Sequence, residues 1–447
     1  MQVGVMLRAP WREPIAVLSG FAEQPWTLGF LSDGSGPRAR WSYLATAPDA
    51  ILQLDHADPA DPFEALKHFA GPPCEILPDG PPFQGGIAGF AAYELGDQVE
   101  SLGLRRAAPW PDLAVARYPA ILGFDHHTKA VVAVGRGTTR AHAERQARRA
   151  LSWLRAPPRP VRADALADGL IGSCGRRYEA EVAAVIDQIR AGDIFQANIA
   201  RSWTCRLRAK VTPFDLLARL SAQSPAPFAA YLRLEHLAVV SNSPERFLSV
   251  DAGGRVETRP IKGTRPRAES LAEDTELAEA LVTSPKDRAE NLMIVDLMRN
   301  DLARVCVAGS VSVPALWALE SFTNVHHLVS TLVGRLAHGK TAVDIMRAAF
   351  PPGSVTGAPK VQAMRTIAGL EAPRGPYCGA MFWLGFDGAL DSNILIRTAA
   401  CVADDHGWQV EARAGAGIVA DSDPRAERLE TEAKISALAR ALYGALA

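Results

Sequence analysis

The residues best suited to chemistry are acids set at helical spacing. In residues 284–291 (Ser-Pro-Lys-Asp-Arg-Ala-Glu-Asn), Asp287 and Glu290 stand one helical turn apart. In residues 423–434, Glu427 and Glu430 do the same, and Lys434 lies a further turn on. Residues at i and i+3 or i+4 share a helix face. Four carboxylates on two helices would suit a hard cation that keeps part of its water shell, namely Mg²⁺. Taken singly, each helix also reads as a solvated acidic face with an intrahelical ion pair. Spacing alone does not bring the two helices together.

Other segments offer charge or free backbone groups. Gly353-Ser354-Val355-Thr356-Gly357-Ala358-Pro359-Lys360 reads as a turn that opens a helix, where unpaired N–H groups and Lys360 would favour an anion. Gly415-Ala416-Gly417 reads as a second turn whose N–H groups could meet a carboxylate. Neither matches a P-loop, and both also read as purely structural turns. Arg397 stands in an apolar run at 394–398, read as a strand, where it needs an anionic partner from the protein or from a ligand. His327 precedes the apolar run 328–333 and reads locally as a core or capping histidine. Lys262 follows Pro260-Ile261 and precedes Gly263 at a strand end; on local grounds it is a solvated turn residue.

These residues need elements to hold them. Up to about residue 155, short strands and turns dominate, including strands at 115–124 and 130–134 and a glycine-rich strand at 85–90. A helix is expected at 140–154, followed by a proline-rich linker at 155–169. Helix and strand alternate beyond it. Helices are expected at 177–191, 213–222, 285–303, 357–369 and 424–443. Strands are expected at 194–205, 379–386, 393–402 and 408–414, and residues 228–240 are expected to carry two strands or one bent strand. Because the candidate residues come from distant segments, residues 1–155 and 170–440 are expected to interleave in one α/β (α+β) unit.

Composition narrows the function classes. The 447 residues are 48% apolar and 22% charged, with a formal net charge of −1, which is ordinary globular composition. No strong positive field marks a nucleic-acid binder. No stretch approaches the ~18 apolar residues of a membrane span, and the N-terminus lacks a signal-peptide pattern. The six cysteines show neither Cys-x-x-Cys nor zinc-like spacing and read as reduced thiols. A cytoplasmic enzyme acting on small molecules is the expectation.

Together, the motifs resemble the chorismate-utilising enzyme family, which includes component I of anthranilate synthase and of aminodeoxychorismate synthase and the isochorismate and salicylate synthases. The resemblance rests on Ser243-Pro244-Glu245-Arg246-Phe247, on 259–267, on 287–301, on 326–330, on 353–360, on 377–385, on 396–399 and on Gly415-Ala416-Gly417-Ile418 through Lys434. It is dense over roughly residues 175–440 and looser before, through Arg40-Trp41-Ser42-Tyr43 and 85–96. It implies one large fold with two facing, antiparallel-rich β-sheets flanked by helices.

The resemblance also implies roles. Hydrolytic members carry a water-activating Lys where this chain has Gln196, so those activities are disfavoured. Lys262 matches the nucleophile of the C4-aminating members, where anthranilate synthases carry Ala. Arg259 or Arg265 would favour its neutral form. Glu245 matches the acid that protonates the departing hydroxyl. Glu290 and Glu430 match Mg²⁺ ligands, supported through water by Asp287 and Glu427. Tyr377 and Arg397 match binders of the pyruvyl carboxylate. Lys434, Gly415 and Gly417 match the surroundings of the ring carboxylate. Thr356 and Gly357 belong to the substrate-site turn, and His327 to the active site. Without a Gly-x-Cys-x-Gly elbow, ammonia is expected from a separate glutamine amidotransferase subunit. The alternatives are anthranilate synthase component I chemistry and, less favoured, a non-catalytic chorismate- or tryptophan-binding subunit.

Overall fold

The expected strands assemble into two large sheets in which the described pairings are antiparallel. The computed structural model describes residues 3–33, 39–321 and 325–443. The first sheet has twelve strands. In it, Val3–Pro10, Ala130–Gly137, Ala120–Asp125, Trp41–Ala45 and Thr27–Leu31 lead to Phe228–Arg233 and Leu237–Ser243. It continues through Thr398–Asp404, Gly407–Ile418 and Gln196–Arg206 to the short Gly357–Ala358. The second sheet has ten strands and runs from Ile261–Pro266 through Val325–Arg335 and Arg246–Val250 to Ala380–Gly385, Gly86–Ala91 and Leu113–Tyr118. Strands from before and after the proline-rich stretch meet at Thr27–Leu31 beside Phe228–Arg233, and at Gly86–Ala91 beside Ala380–Gly385.

The sheets pack face to face through one apolar cluster. It joins Leu28, Tyr43, Ala230 and Val239 of the first sheet to Ala88, Phe90, Ala116 and Trp383 of the second. The approach along Gly86–Ala91 is close: a Cβ on Gly89 would stand 2.0 Å from the Ala114 carbonyl oxygen. This strand therefore uses its glycines for contact between backbones. Helices Arg140–Trp153, Pro213–Gln223 and Pro424–Tyr443 cover the outer face of the first sheet, and Pro285–Ala303 and Ala342–Ala349 cover the second. Among the described residues, no helix is long and apolar enough to cross a membrane.

Both acid-bearing helices begin where local chemistry predicts. The Ser284 hydroxyl accepts from the Asp287 N–H at 3.2 Å, with Pro285 in the first turn. The Asp423 carboxylate accepts from the Ala426 N–H at 2.8 Å. Residues 228–240 are two strands joined by a turn, the first of the two forms expected there. Two expectations need correction. Gly415-Ala416-Gly417 is not a turn but the end of the strand Gly407–Ile418, paired with Asn198–Ala200. The run 393–402 is not one strand: pairing stops at Asn393 and resumes at Thr398, and Arg397 adopts a left-handed φ of 54° in the break.

Candidate active site

Lys262 enters the site from the strand Ile261–Pro266, and its side chain is only 14% exposed. Its ammonium nitrogen lies 3.8 Å from Glu290 Oε2. It also lies against Gly417, where an added Cβ would stand 2.7 Å from Lys262 Nζ and 2.9 Å from Gln196 Nε2. A side chain at position 417 would enter the space these two groups occupy, and their ends would have to shift to admit it. Gln196 is fully buried, and neither its amide oxygen nor its nitrogen has a hydrogen-bond partner among the described residues. An unpaired buried amide is costly, so Gln196 keeps hydrogen-bonding capacity beside Lys262.

Glu245 is buried close to the start of the Lys262 strand. Its Oε1 accepts from the Ser354 hydroxyl at 3.1 Å and from the Ile261 N–H at 3.5 Å. Burial pushes its carboxyl up to about 7, against those hydrogen bonds and the charges of Lys262 and Lys434. The group can therefore hold a proton near neutral pH and give it away.

On the other side, Lys434 Nζ contacts Glu430 Oε1 at 2.5 Å and donates to the Gly415 carbonyl at 2.9 Å. Burial lowers the Lys434 pKa against the attraction of Glu430; Arg397 and Lys262 add repulsion. The Arg397 guanidinium donates to the Lys434 carbonyl. Among the described residues, it has no carboxylate at ion-pair distance. Burial lowers its pKa, while Tyr377 and Glu430 act in the opposite sense. Arg397, Lys434 and Lys262 thus form a cluster of positive charge, with Glu430 paired to Lys434. His327 Nδ1 shares a hydrogen bond of 2.9 Å with the Thr264 hydroxyl. Burial, with the Arg397 charge, lowers its pKa to about 4, so it is neutral at physiological pH.

Other expected residues are engaged elsewhere. The Thr356 hydroxyl donates to the Pro352 carbonyl at 2.9 Å, inside its own turn. Gly357 pairs with Ala197 at the sheet edge. Lys360 does not serve an anion at the helix start. It pairs with the buried Asp301 at 2.8 Å and donates to the Ala349 carbonyl at 2.8 Å. Arg259 and Arg265 do not act on Lys262 as free cations either, since they pair with Glu320 and Asp287 respectively. Glu427 Oε1 accepts from the Ser422 hydroxyl at 2.7 Å, and burial raises its pKa.

The acids suit a hard cation in kind, being oxygen donors on two helices. Among the described residues, however, no three His, Cys, Asp or Glu side chains are gathered as a metal-binding cluster. Lysines stand where positive charge is needed: Lys262 and Lys286 flank Glu290 at 3.8 and 3.9 Å, and Lys434 holds Glu430. Mg²⁺ needs only one or two carboxylates beside water and substrate, and Glu290 and Glu430 are oxygen donors of the kind it takes.

One functional layer was missed by sequence reasoning. Arg374 is buried beneath the site, donating to both oxygens of Glu371, to the Val355 carbonyl at 2.9 Å and to the Asn198 carbonyl at 2.6 Å. Its guanidinium also lies 5.7 Å from the Tyr377 ring centroid. It ties together three walls of the site. The only sequence signal was an Arg three residues after a Glu, which usually denotes a surface pair.

A buried acid close to an enclosed lysine, beside clustered positive charge, is an arrangement suited to acid and nucleophile chemistry, and comparison gives the class. The chain belongs to the family of chorismate binding enzymes, which matches residues 30–440. It is 38% identical to aminodeoxychorismate synthase component 1 of Klebsiella aerogenes, over 96% of this chain and 97% of that protein. It is 40% identical to anthranilate synthase component 1 of Streptomyces coelicolor, over 96% of this chain and 87% of that protein. Its fold is similar to that of anthranilate synthase component I from Streptococcus pneumoniae TIGR4, with a TM-score of 0.80 and 29% identity over 91% of this chain and 93% of that one.

Proposed function

We propose that this protein aminates chorismate at C4, as an aminodeoxychorismate synthase component I, giving 4-amino-4-deoxychorismate for 4-aminobenzoate and folate synthesis. The observation that carries the reading is the enclosed Lys262 amine, set between Gly417 and Glu290 close to the proton-holding Glu245. Lys262 in its neutral form attacks C2, the ring double bond shifts, and the C4–O bond breaks as Glu245 delivers its proton, releasing water. The proton lost by the alkylated amine returns to the Glu245 carboxylate. Ammonia then attacks C4, the double bond shifts back, and the C2–N bond to Lys262 breaks as Glu245 gives its proton to the departing amine; the proton released by the new C4 ammonium restores the Glu245 acid. The route replaces one difficult displacement by two easier ones.

Arg397 and Tyr377 are assigned to the pyruvyl carboxylate, and Lys434 to the ring carboxylate. Mg²⁺ held by Glu290 and Glu430 would neutralise that carboxylate, with Asp287 and Glu427 in support. Gln196 offers no basic nitrogen with which to activate water. Ammonia is assigned to a separate glutamine amidotransferase subunit, and the enzyme to the cytoplasm.

The comparable identity to an anthranilate synthase favours the second reading, component I of that enzyme. One assay separates them. The protein is incubated with chorismate, Mg²⁺ and an ammonium salt, and the products are read by mass spectrometry. An amine that retains the enol-pyruvyl group is expected; anthranilate with released pyruvate overturns the proposal.

A further inference from the structure

Among the lysines around the acidic helices, Lys286 alone has no part in the chemistry assigned above. It follows Pro285 in the first turn of its helix, and its side chain is 55% exposed. Its ammonium lies 3.9 Å from Glu290 Oε1, while Lys262 lies 3.8 Å from Oε2. Each oxygen of this carboxylate therefore faces one lysine. The charge of Lys286 also reaches across to Glu427 and Glu430 on the closing helix. Lys262 is enclosed, and Lys434 is fixed to the Gly415 carbonyl. Lys286 alone can swing into solvent without breaking a hydrogen bond.

We propose that Lys286 is a built-in counter-ion of the metal site, which competes with the divalent cation for Glu290 and thereby sets metal affinity. The proposal rests on the assignment of Glu290 and Glu430 as metal ligands. Without metal, Lys286 offsets the repulsion among carboxylates brought together from two helices. When a dication arrives, the same lysine becomes a like charge and must move away. The site is thus held in a loadable form at the expense of affinity. A long side chain with a half-exposed ammonium suits this role, because its attraction in high dielectric is weak and readily exchanged.

The test is equilibrium Mn²⁺ binding to the full chain, read as loss of the free-ion electron paramagnetic resonance signal. Lys286→Gln is expected to lower the Mn²⁺ Kd by roughly three- to tenfold at low ionic strength, and by less at high salt. Lys286→Arg keeps the charge and should bind no more tightly than the wild type. In a Glu290→Gln background, the Lys286→Gln advantage should disappear. A Lys286→Gln Kd within about twofold of the wild type at low salt overturns the proposal while leaving the metal assignment standing. If the wild type binds no Mn²⁺ with or without chorismate, the metal assignment fails and takes this inference with it.

Discussion

Arg374 and Lys262 both reach the strand pair formed by Gln196–Arg206 and Gly407–Ile418, yet their surroundings are opposite. Arg374 donates at every face: two bonds to Glu371, two to backbone carbonyls, with the Tyr93 ring 4.7 Å beneath the guanidinium. Its partner is equally saturated, because Glu371 Oε1 also accepts the Ala200 N–H at 2.7 Å. Lys262 makes no hydrogen bond among the described residues. Its nearest charge is Glu290 at 3.8 Å, and its neighbour Gln196 has an amide without a partner. A cation that holds a fold together is fully bonded; one that meets a ligand keeps capacity free. The contrast sets a saturated supporting cation against one with unused bonding capacity.

Substitution at the two positions should therefore fail in different ways. Lys262→Ala should reduce formation of the 4-amino product on the order of 10³-fold or more, because it removes the proposed covalent nucleophile. Chorismate binding and the urea midpoint should stay near wild type. A variant that forms product at the wild-type rate would sink the covalent route. Arg374→Ala should act first on stability. It leaves Glu371 buried without its cation, which costs about 3–5 kcal/mol. Chemical denaturation of both variants reads the comparison directly. It breaks if Lys262→Ala is the less stable of the two.

The same contrast explains what the sequence could disclose. The acid-bearing helices Pro285–Ala303 and Pro424–Tyr443 were legible end to end, because caps, prolines and three-residue spacing are local signals. Arg397 was misplaced because an apolar run carries no mark of a backbone break; the left-handed φ that ends pairing depends on tertiary contacts. Gly415-Ala416-Gly417 read as a turn because glycine usually marks one, whereas here its smallness admits Gln196 and Lys262. Lys262 and Glu245 were invisible to local physics and emerged only through the motif resemblance. A lysine in a Pro-Ile-Lys-Gly segment becomes enclosed only when Gly417, more than 150 residues away, is brought against it. Arg374 was missed for the same reason: its partners Asn198 and Val355 are remote in sequence.

The smallest expected effect concerns Ser354, whose role is to tune a proton. In the proposed route Glu245 acts as an acid only while protonated, so with its carboxyl at about 7 the rate should fall as pH rises through that value. The Ser354 hydroxyl donates to Glu245 Oε1 at 3.1 Å and so favours the carboxylate. Ser354→Ala removes that donor and leaves the acid form relatively better off. The Glu245 pKa then rises, and the falling limb of kcat/KM should move to higher pH by up to about one unit, as expected for one hydrogen bond to a charged group. The profile must be taken at constant free ammonia, since the nucleophile itself titrates. Stability should change little, because Ser354 contacts nothing else through its hydroxyl among the described residues. A limb that stays in place, or moves to lower pH, means that the titrating group is not Glu245. In that case Glu245 belongs with Arg374 among the supporting charges rather than with Lys262.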